Sequence, residues 1–197
     1  MKLLTGAQAI NSPFDCERWA RSTPTATPGD PGKGVHDRYS VVLIVPPGQS
    51  SDDLFDRAVK ELLQYRVFPA NRMRCCVCTL NQEVTEGAVI VQRVLIGLLA
   101  IEMAVRVVEV FHRETDERRS GFTYVTLEGH IECGTATFFL RKSPGGDVSF
   151  DIESWSQPGN WRAALARPIA RSIQARFTAE ALEDFRARLS SPKEITR

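Results

Sequence analysis

Glu128, Gly129, His130 and Glu132 cluster in the stretch GFTYVTLEGHIECG, residues 121–134. A carboxylate beside an imidazole stabilises the imidazolium and raises its pKa, which can prepare a proton shuttle. The same set also suits a solvated turn. Just before it, Phe122, Tyr124 and Thr126 alternate with Thr123, Val125 and Leu127, the pattern of a half-buried strand. If the first of these faces points inward, Tyr124 offers a hydroxyl among apolar neighbours, either to a ligand or to the core. A core tyrosine bonded to protein is the commoner role. The candidate catalytic residues are therefore Tyr124, His130 and Glu132, and Phe122, Tyr124 and Thr126 are candidate ligand contacts.

Three further clusters invite chemistry. Cys75, Cys76 and Cys78 lie in RMRCCVCTL, which reads as a strand. A zinc site usually takes two ligands from a CxxC-type turn and two from elsewhere. Alternation instead sends Cys76 and Cys78 to one face and Cys75 to the other, so small buried thiols and no metal are expected. Trp155 and Trp161 bracket SQPGN and could stack on a ligand, although such a pair more often pins a strand end to the next helix. Arg162, Arg167, Arg171, Arg176, Arg186 and Arg188 make the last helix basic on its polar side. That suits anionic lipid, but Glu180, Glu183 and Asp184 dilute it and a solvated face is the expectation.

Several classes are disfavoured. GDPGKG lacks the spacing of a phosphate-binding loop and has no apolar strand before it. There is no nucleophile elbow, metal signature or dinucleotide fingerprint, and no cofactor is expected. A net charge of +1 over 197 residues gives no electrostatic reason to expect nucleic acid. The five cysteines, Cys16, Cys75, Cys76, Cys78 and Cys133, are odd in number and irregularly spaced, which argues against a disulfide framework and for a reducing compartment. MKLLTGAQAI makes a poor signal peptide. The most apolar window, VLIGLLAIEMAVRVV, is interrupted by Glu102 and Arg106, far short of the about 20 apolar residues of a spanning helix. A cytoplasmic protein without integral membrane association is expected.

These residues need elements to hold them. Residues 1–34 read as an irregular N-terminal segment, 35–190 as one domain and 191–197 as a tail. HDRYSVVLIVPP is a strand broken by Pro46 and Pro47. Ser50 or Ser51 can cap the next helix, whose broad apolar face carries Leu54, Phe55, Ala58, Val59, Leu62 and Leu63, with Pro69 expected to end it. RMRCCVCTL and GAVIVQRVLI follow as strands. Residues 98–112 fit a helix by period, but Val105, Val107, Val108 and Val110 tip the second half towards strand. HRETDERRSG is a charged turn, and strands are expected at 121–127, 134–142 and 147–156. Asn160 can cap a long helix with the stripe Leu165, Ile169, Ile173, Phe177, Leu182, Phe185 and Leu189, which Pro168 can kink near its start. The order of strand, helix, about six strands and long helix gives an α+β layer, a curved antiparallel sheet closed by the terminal helix.

LLQYRVFP (62–69), RVVEV (106–110), GFTYVTLEGHIECGTATFFL (121–140) and SWSQPGNWRAALARPIARSIQARFT (154–178) resemble an uncharacterised bacterial and plant family, domain of unknown function 1990. The most specific part is Gly-Phe-x-Tyr-x-Thr-Leu-x-Gly-His, here Gly121 to His130. The chain departs from the pattern with Tyr65, where the family usually has Trp, and with Glu132-Cys133-Gly134, where Glu-Arg-Gly is common. The resemblance extends to the helix-grip superfamily of START-like lipid carriers, pollen allergens and polyketide cyclases. It implies a helix-grip-like sheet of about seven strands wrapped on the C-terminal helix, with a cavity between them. The expected function is binding of a small, largely apolar molecule by Tyr124, Phe122, Thr126, Trp155, Ile173 and Phe177. A second reading is an enzyme of polyketide-cyclase or hydrolase type using Tyr124 and His130 as acid and base. A third is a protein-interaction module with no small ligand.

Overall fold

The computed structural model describes residues 1–27, 34–158 and 167–191. Among these residues twelve elements run in the order β1 (Lys2–Thr5), α1 (Gly6–Asn11), α2 (Cys16–Ala20), β2 (Val35–Leu43), α3 (Ser51–Leu63), β3 (Met73–Val77), β4 (Val89–Ile96), β5 (Leu99–Glu114), β6 (Arg118–Thr126), β7 (Glu132–Lys142), β8 (Val148–Pro158) and α4 (Arg167–Ser190). Seven strands form one antiparallel sheet in the order β2-β8-β7-β6-β5-β4-β3. The eighth, β1, pairs with Leu99–Glu102 of β5, a stretch that lies beyond the reach of β6. The ambiguous segment at 98–112 is thus strand from Leu99 onward, paired with β4 as far as Arg106 and with β6 from Val105.

One face of the sheet holds the main core. Ile90, Val105, Val107, Phe122, Phe138, Leu140, Val148, Phe150 and Ile152 are buried there against Leu54, Phe55, Ala58 and Leu62 of α3 and Ala181, Leu182, Phe185 and Leu189 of α4. Alternation would point Glu109 into this core. An irregularity between Val107 and Glu109 resets the register, so that Val110 comes opposite Phe122 and Glu109 stays exposed. The helix stripe expected from the sequence is therefore buried at Leu182, Phe185 and Leu189, and the Phe185 ring sits 4.5 Å from Phe150. Asn160, Trp161 and Leu165 fall outside the described residues, as do the side chains of Ile169 and Ile173.

Helix α3 starts as its sequence predicts. Ser50 caps it, and the Asp53 side chain accepts from the Ser50 N–H in a reciprocal box. Its end differs from expectation. The helix stops at Leu63, well before Pro69, because Tyr65 takes a left-handed conformation with φ 54°. That turn drives the Tyr65 ring into the core, where it is buried. Interior placement of one aromatic, not the proline, ends the helix.

The opposite, outer face also has a cover. The first 34 residues, expected to be irregular, carry β1, α1 and α2 in their first twenty. Trp19 is buried with Val89, Val91, Ala104 and Leu127 on this face. Arg93, only 1% exposed, pairs with the fully buried Glu102 at 2.7 Å and also donates to the carbonyls of Ala9, Ser12 and Pro13. Trp19 Nε1 donates to the same Glu102 at 3.2 Å. A buried pair of charges on adjacent strands thus serves as the anchor of the N-terminal segment.

The covalent pairing also differs from the sequence reading. Cys16 and Cys78, separated by 62 residues, form a disulfide between α2 and the end of β3. Cys75, Cys76 and Cys133 are free and half-buried. Irregular spacing hid this pair because the disulfide joins distant segments that only the fold brings together.

Candidate functional site

The middle of the helix-side face is lined by aliphatic and aromatic side chains. Tyr124 on β6 lies opposite Ala136 of β7 and Val107 of β5. Its ring is 5.4 Å from Phe138 and 6.5 Å from Phe122, and those two phenyl rings stack 5.5 Å apart with an interplanar angle of 7°. Into this aromatic floor come three polar groups. Gln92 of β4 is buried and donates from Nε2 to the Tyr65 hydroxyl at 2.6 Å. The Tyr124 hydroxyl lies near enough to Gln92 and Tyr65 for both to influence its ionisation. Cys75 of β3 lies directly opposite Gln92 on the same face.

Burial decides the chemistry of this group. It pushes both phenols and the Cys75 thiol well above their ordinary pKa values. All three therefore keep their protons at neutral pH and act as hydrogen-bonding groups, not as bases or nucleophiles. Tyr124 is nonetheless only half-buried by surface area, unlike Tyr65 and Phe122. A protonated hydroxyl thus lies deep among aromatic rings on a residue that still has accessible surface.

The hairpin tip is built differently. Gly129 has φ 85°, which glycine accommodates without strain, and the His130 N–H donates to the Leu127 carbonyl. His130 Nδ1 lies 3.1 Å from the Glu132 N–H and 3.0 Å from the Glu132 carbonyl, so either neutral tautomer ties the ring to that backbone. Burial lowers the His130 pKa to about 4, outweighing the backbone bond to Glu132, which favours the charged form. The expected elevation by a neighbouring carboxylate is thus reversed: desolvation dominates, and His130 is neutral at pH 7. Among the described residues no hydrogen bond joins His130 to Tyr124.

Other expected contacts are dispersed. Thr126 is buried, but its hydroxyl accepts from the Gly134 N–H at 2.9 Å and pairs with the Thr25 hydroxyl, so protein already occupies it. Trp155 stacks on His36, with centroids 4.2 Å apart and planes 9° apart. By alternation it shares the outer face with Asp151, not the inner face with Phe150 and Ile152. Phe177 is half-buried on α4 beneath Arg72, whose guanidinium lies 5.7 Å from the ring and pairs with Glu180 at 2.8 Å.

The family model described as domain of unknown function (DUF1990) matches residues 20–184. The chain belongs to this family. Two relatives called UPF0548 protein are similar over shorter stretches. One from Deinococcus radiodurans is 36% identical over 58 residues, 29% of this chain and 29% of that protein. One from Dictyostelium discoideum is 29% identical over 75 residues, 34% of this chain and 35% of that protein. The matched stretches thus span about a third of these relatives' length. Among solved structures, the hypothetical protein jhp0584 from Helicobacter pylori aligns with a TM-score of 0.56 at 12% identity, covering 92% of this chain and 98% of that one. The KanY protein aligns at 0.53 and 10% identity, covering 81% of this chain and 100% of that one. These likenesses concern the fold, which is helix-grip-like: a curved antiparallel sheet with a C-terminal helix on one face.

The residues from Gly121 to His130 make the following contacts in this chain. Gly121 sits directly opposite Phe139, and a Cβ there would run into the Phe138 carbonyl and the Phe139 side chain. Phe122 stacks on Phe138, Thr126 fastens the β6–β7 hairpin, Leu127 packs on Trp19, and Gly129 and His130 close the turn. Each of these contacts is made within the protein. Tyr124 adds a hydroxyl on the helix-side face, between Val107 and Ala136. Tyr65 joins it there, supplying the partner of Gln92. Sequence reasoning missed Gln92 and Tyr65 as a site. The available signal was a lone amide in the apolar run VIVQRVLI, at the position that alternation places beside Ile90 on the inner face.

Proposed function

We propose that this DUF1990 protein binds a small, largely apolar molecule between the helix-side face of the sheet and α4. The observation that carries the reading is Tyr124: a protonated hydroxyl, half-buried among Phe122 and Phe138 and near Gln92 and Tyr65. Apolar walls with few, fixed polar groups are the usual form of a small-molecule site. The aromatic rings would supply contact area. The Tyr124 and Gln92 groups would orient one polar end of the ligand. The best match is a molecule with a single carbonyl or hydroxyl on an apolar frame. The acid–base reading gains no support, because His130 is neutral, engaged with Glu132 and not bonded to Tyr124.

The test is titration with a panel of fluorescent apolar probes and fatty acids, together with native mass spectrometry of freshly purified protein. Wild type is expected to bind at least one at micromolar concentration. Tyr124→Phe removes one hydrogen bond and leaves a ligand polar group unpaired, roughly 1–3 kcal/mol, so affinity should fall about 5- to 150-fold while the melting temperature changes little. If wild type binds none and carries no co-purified molecule, the reading fails and a protein-interaction role takes its place.

A further inference from the structure

On the outer face, away from Tyr124, three sulfur atoms meet. Cys76 and Cys78 stand two residues apart at the end of β3, and α2 delivers Cys16 between them. The Cys16 and Cys76 sulfurs are 4.0 Å apart, and the three ligand atoms all lie within 4.8 Å of one another. Each of the three residues is half-buried, so the cluster has a protein wall and a solvent approach. The wall is apolar: Cys16 and Cys78 pack with Phe14 against Trp19, Val89 and Val91. Cys75 is excluded, because it faces the opposite side of the sheet beside Gln92.

We propose that the reduced form of this cluster is a three-thiolate site for a soft closed-shell cation, Zn(II) or Cu(I), which the Cys16–Cys78 disulfide abolishes. Thiolates bind such a cation at about 2.3 Å. Three of them around one ion then stand roughly 4 Å apart, which is the spacing that Cys16 and Cys76 already have. Only Cys78 must move, from bonding distance to its partner out to that spacing. Thiolates select Zn(II) and Cu(I) over harder ions. A fourth position on zinc can be filled by water from the exposed side, whereas Cu(I) accepts three ligands alone. Opening the site takes two electrons and two protons from a thiol reductant, which is itself oxidised to a disulfide. Metal binding then releases the protons of whichever thiols are still protonated. The cluster therefore holds the N-terminal segment to β3 in both states, by the Cys16–Cys78 bond when oxidised and through a cation shared by all three sulfurs when reduced.

The experiment uses the full chain, reduced with a phosphine and freed of metal under anaerobic conditions. Zn(II) and Cu(I) are titrated in separate arms against chromogenic chelators. One equivalent of at least one cation is expected to bind, with affinity at least tenfold lower in Cys16→Ser, Cys76→Ser and Cys78→Ser and unchanged in Cys75→Ser. The oxidised protein should bind none. Alkylation of wild type, mapped by mass spectrometry, should show Cys16, Cys76 and Cys78 protected by the cation, with Cys75 and Cys133 unaffected by it; this reading does not depend on whether the variants fold. Failure of both cations to bind, or protection that includes Cys75 and omits Cys16, overturns the proposal. Neither result bears on the apolar-ligand site on the other face.

Discussion

At the scale of single residues, position in the sheet decides what a titratable group can do. Tyr124 and His130 lie six positions apart in one motif, yet one is set among aromatic rings and the other is locked in a turn. His130 supplies a pH test. Its folded pKa is lowered to about 4, below the ordinary 6.5 of the unfolded chain. The unfolded state therefore binds the extra proton between these values, and stability rises with pH across that window. The contribution is fully present above pH 6.5 and is lost as pH falls towards 4, by at most roughly 3 kcal/mol. Chemical denaturation at pH 7 and pH 5 should show wild type weaker at the lower pH. His130→Gln should flatten that difference; an unchanged slope would mean that His130 is not the group responsible. The sequence exposed Tyr124 through simple alternation. It could not give the sign of the His130 shift, because burial of a turn is a tertiary property.

At the scale of elements, most strands were legible because period-two patterns and turn residues agreed, as at Ser143–Gly146 between β7 and β8. The first twenty residues were not, since their helices are too short to show a period. Their caps were nevertheless written in the chain: Thr5 and Gln8 form a capping box, and Asp15 accepts from the Arg18 N–H. Gly121 illustrates a requirement visible only from strand pairing. Its hydrogen is the only substituent that the facing Phe138 carbonyl and Phe139 side chain leave room for. Gly121→Ala should therefore destabilise the domain by about 1–3 kcal/mol through overpacking, read as a lower denaturant midpoint. Gly145→Ala is the control, because a Cβ there meets only the Ser143 hydroxyl at ordinary contact distance. Equal effects at the two positions would remove the packing explanation. Helix α4 gives the complementary test. Phe185 is fully buried against Phe150, and truncation to alanine should cost about 3–5 kcal/mol. A change below 1 kcal/mol would mean that the helix does not close the sheet as described.

At the scale of the whole molecule, the sheet is covered on both faces by unrelated means. Helices α3 and α4 bury the inner face with hydrocarbon, whereas the N-terminal segment holds the outer face with one buried ion pair, one tryptophan and one disulfide. Glu102 and Arg93 were visible in the sequence as charges interrupting apolar strands, yet their meaning depended on β4 and β5 placing them directly opposite each other. The disulfide closes a loop of 62 residues, and constraining the unfolded chain over that length contributes about 4 kcal/mol in the loop-entropy model. In buffer containing a strong chelator, so that no cation can replace the bond, adding a reductant should lower the melting temperature of wild type. Cys16→Ser should melt at the lower temperature in either buffer, because it has no bond to lose. Arg93→Met should do comparable damage with the disulfide intact, since it leaves Glu102 buried at zero exposure without its charge partner, a loss of about 3–5 kcal/mol. The order expected from thermal melts is therefore wild type oxidised highest, with wild type reduced, Cys16→Ser and Arg93→Met all well below it. Should reduction leave the melting temperature of wild type unchanged, the N-terminal segment is held by its non-covalent contacts, the β1–β5 pairing, Trp19 and the Arg93 anchor among them, and the disulfide adds nothing to the fold.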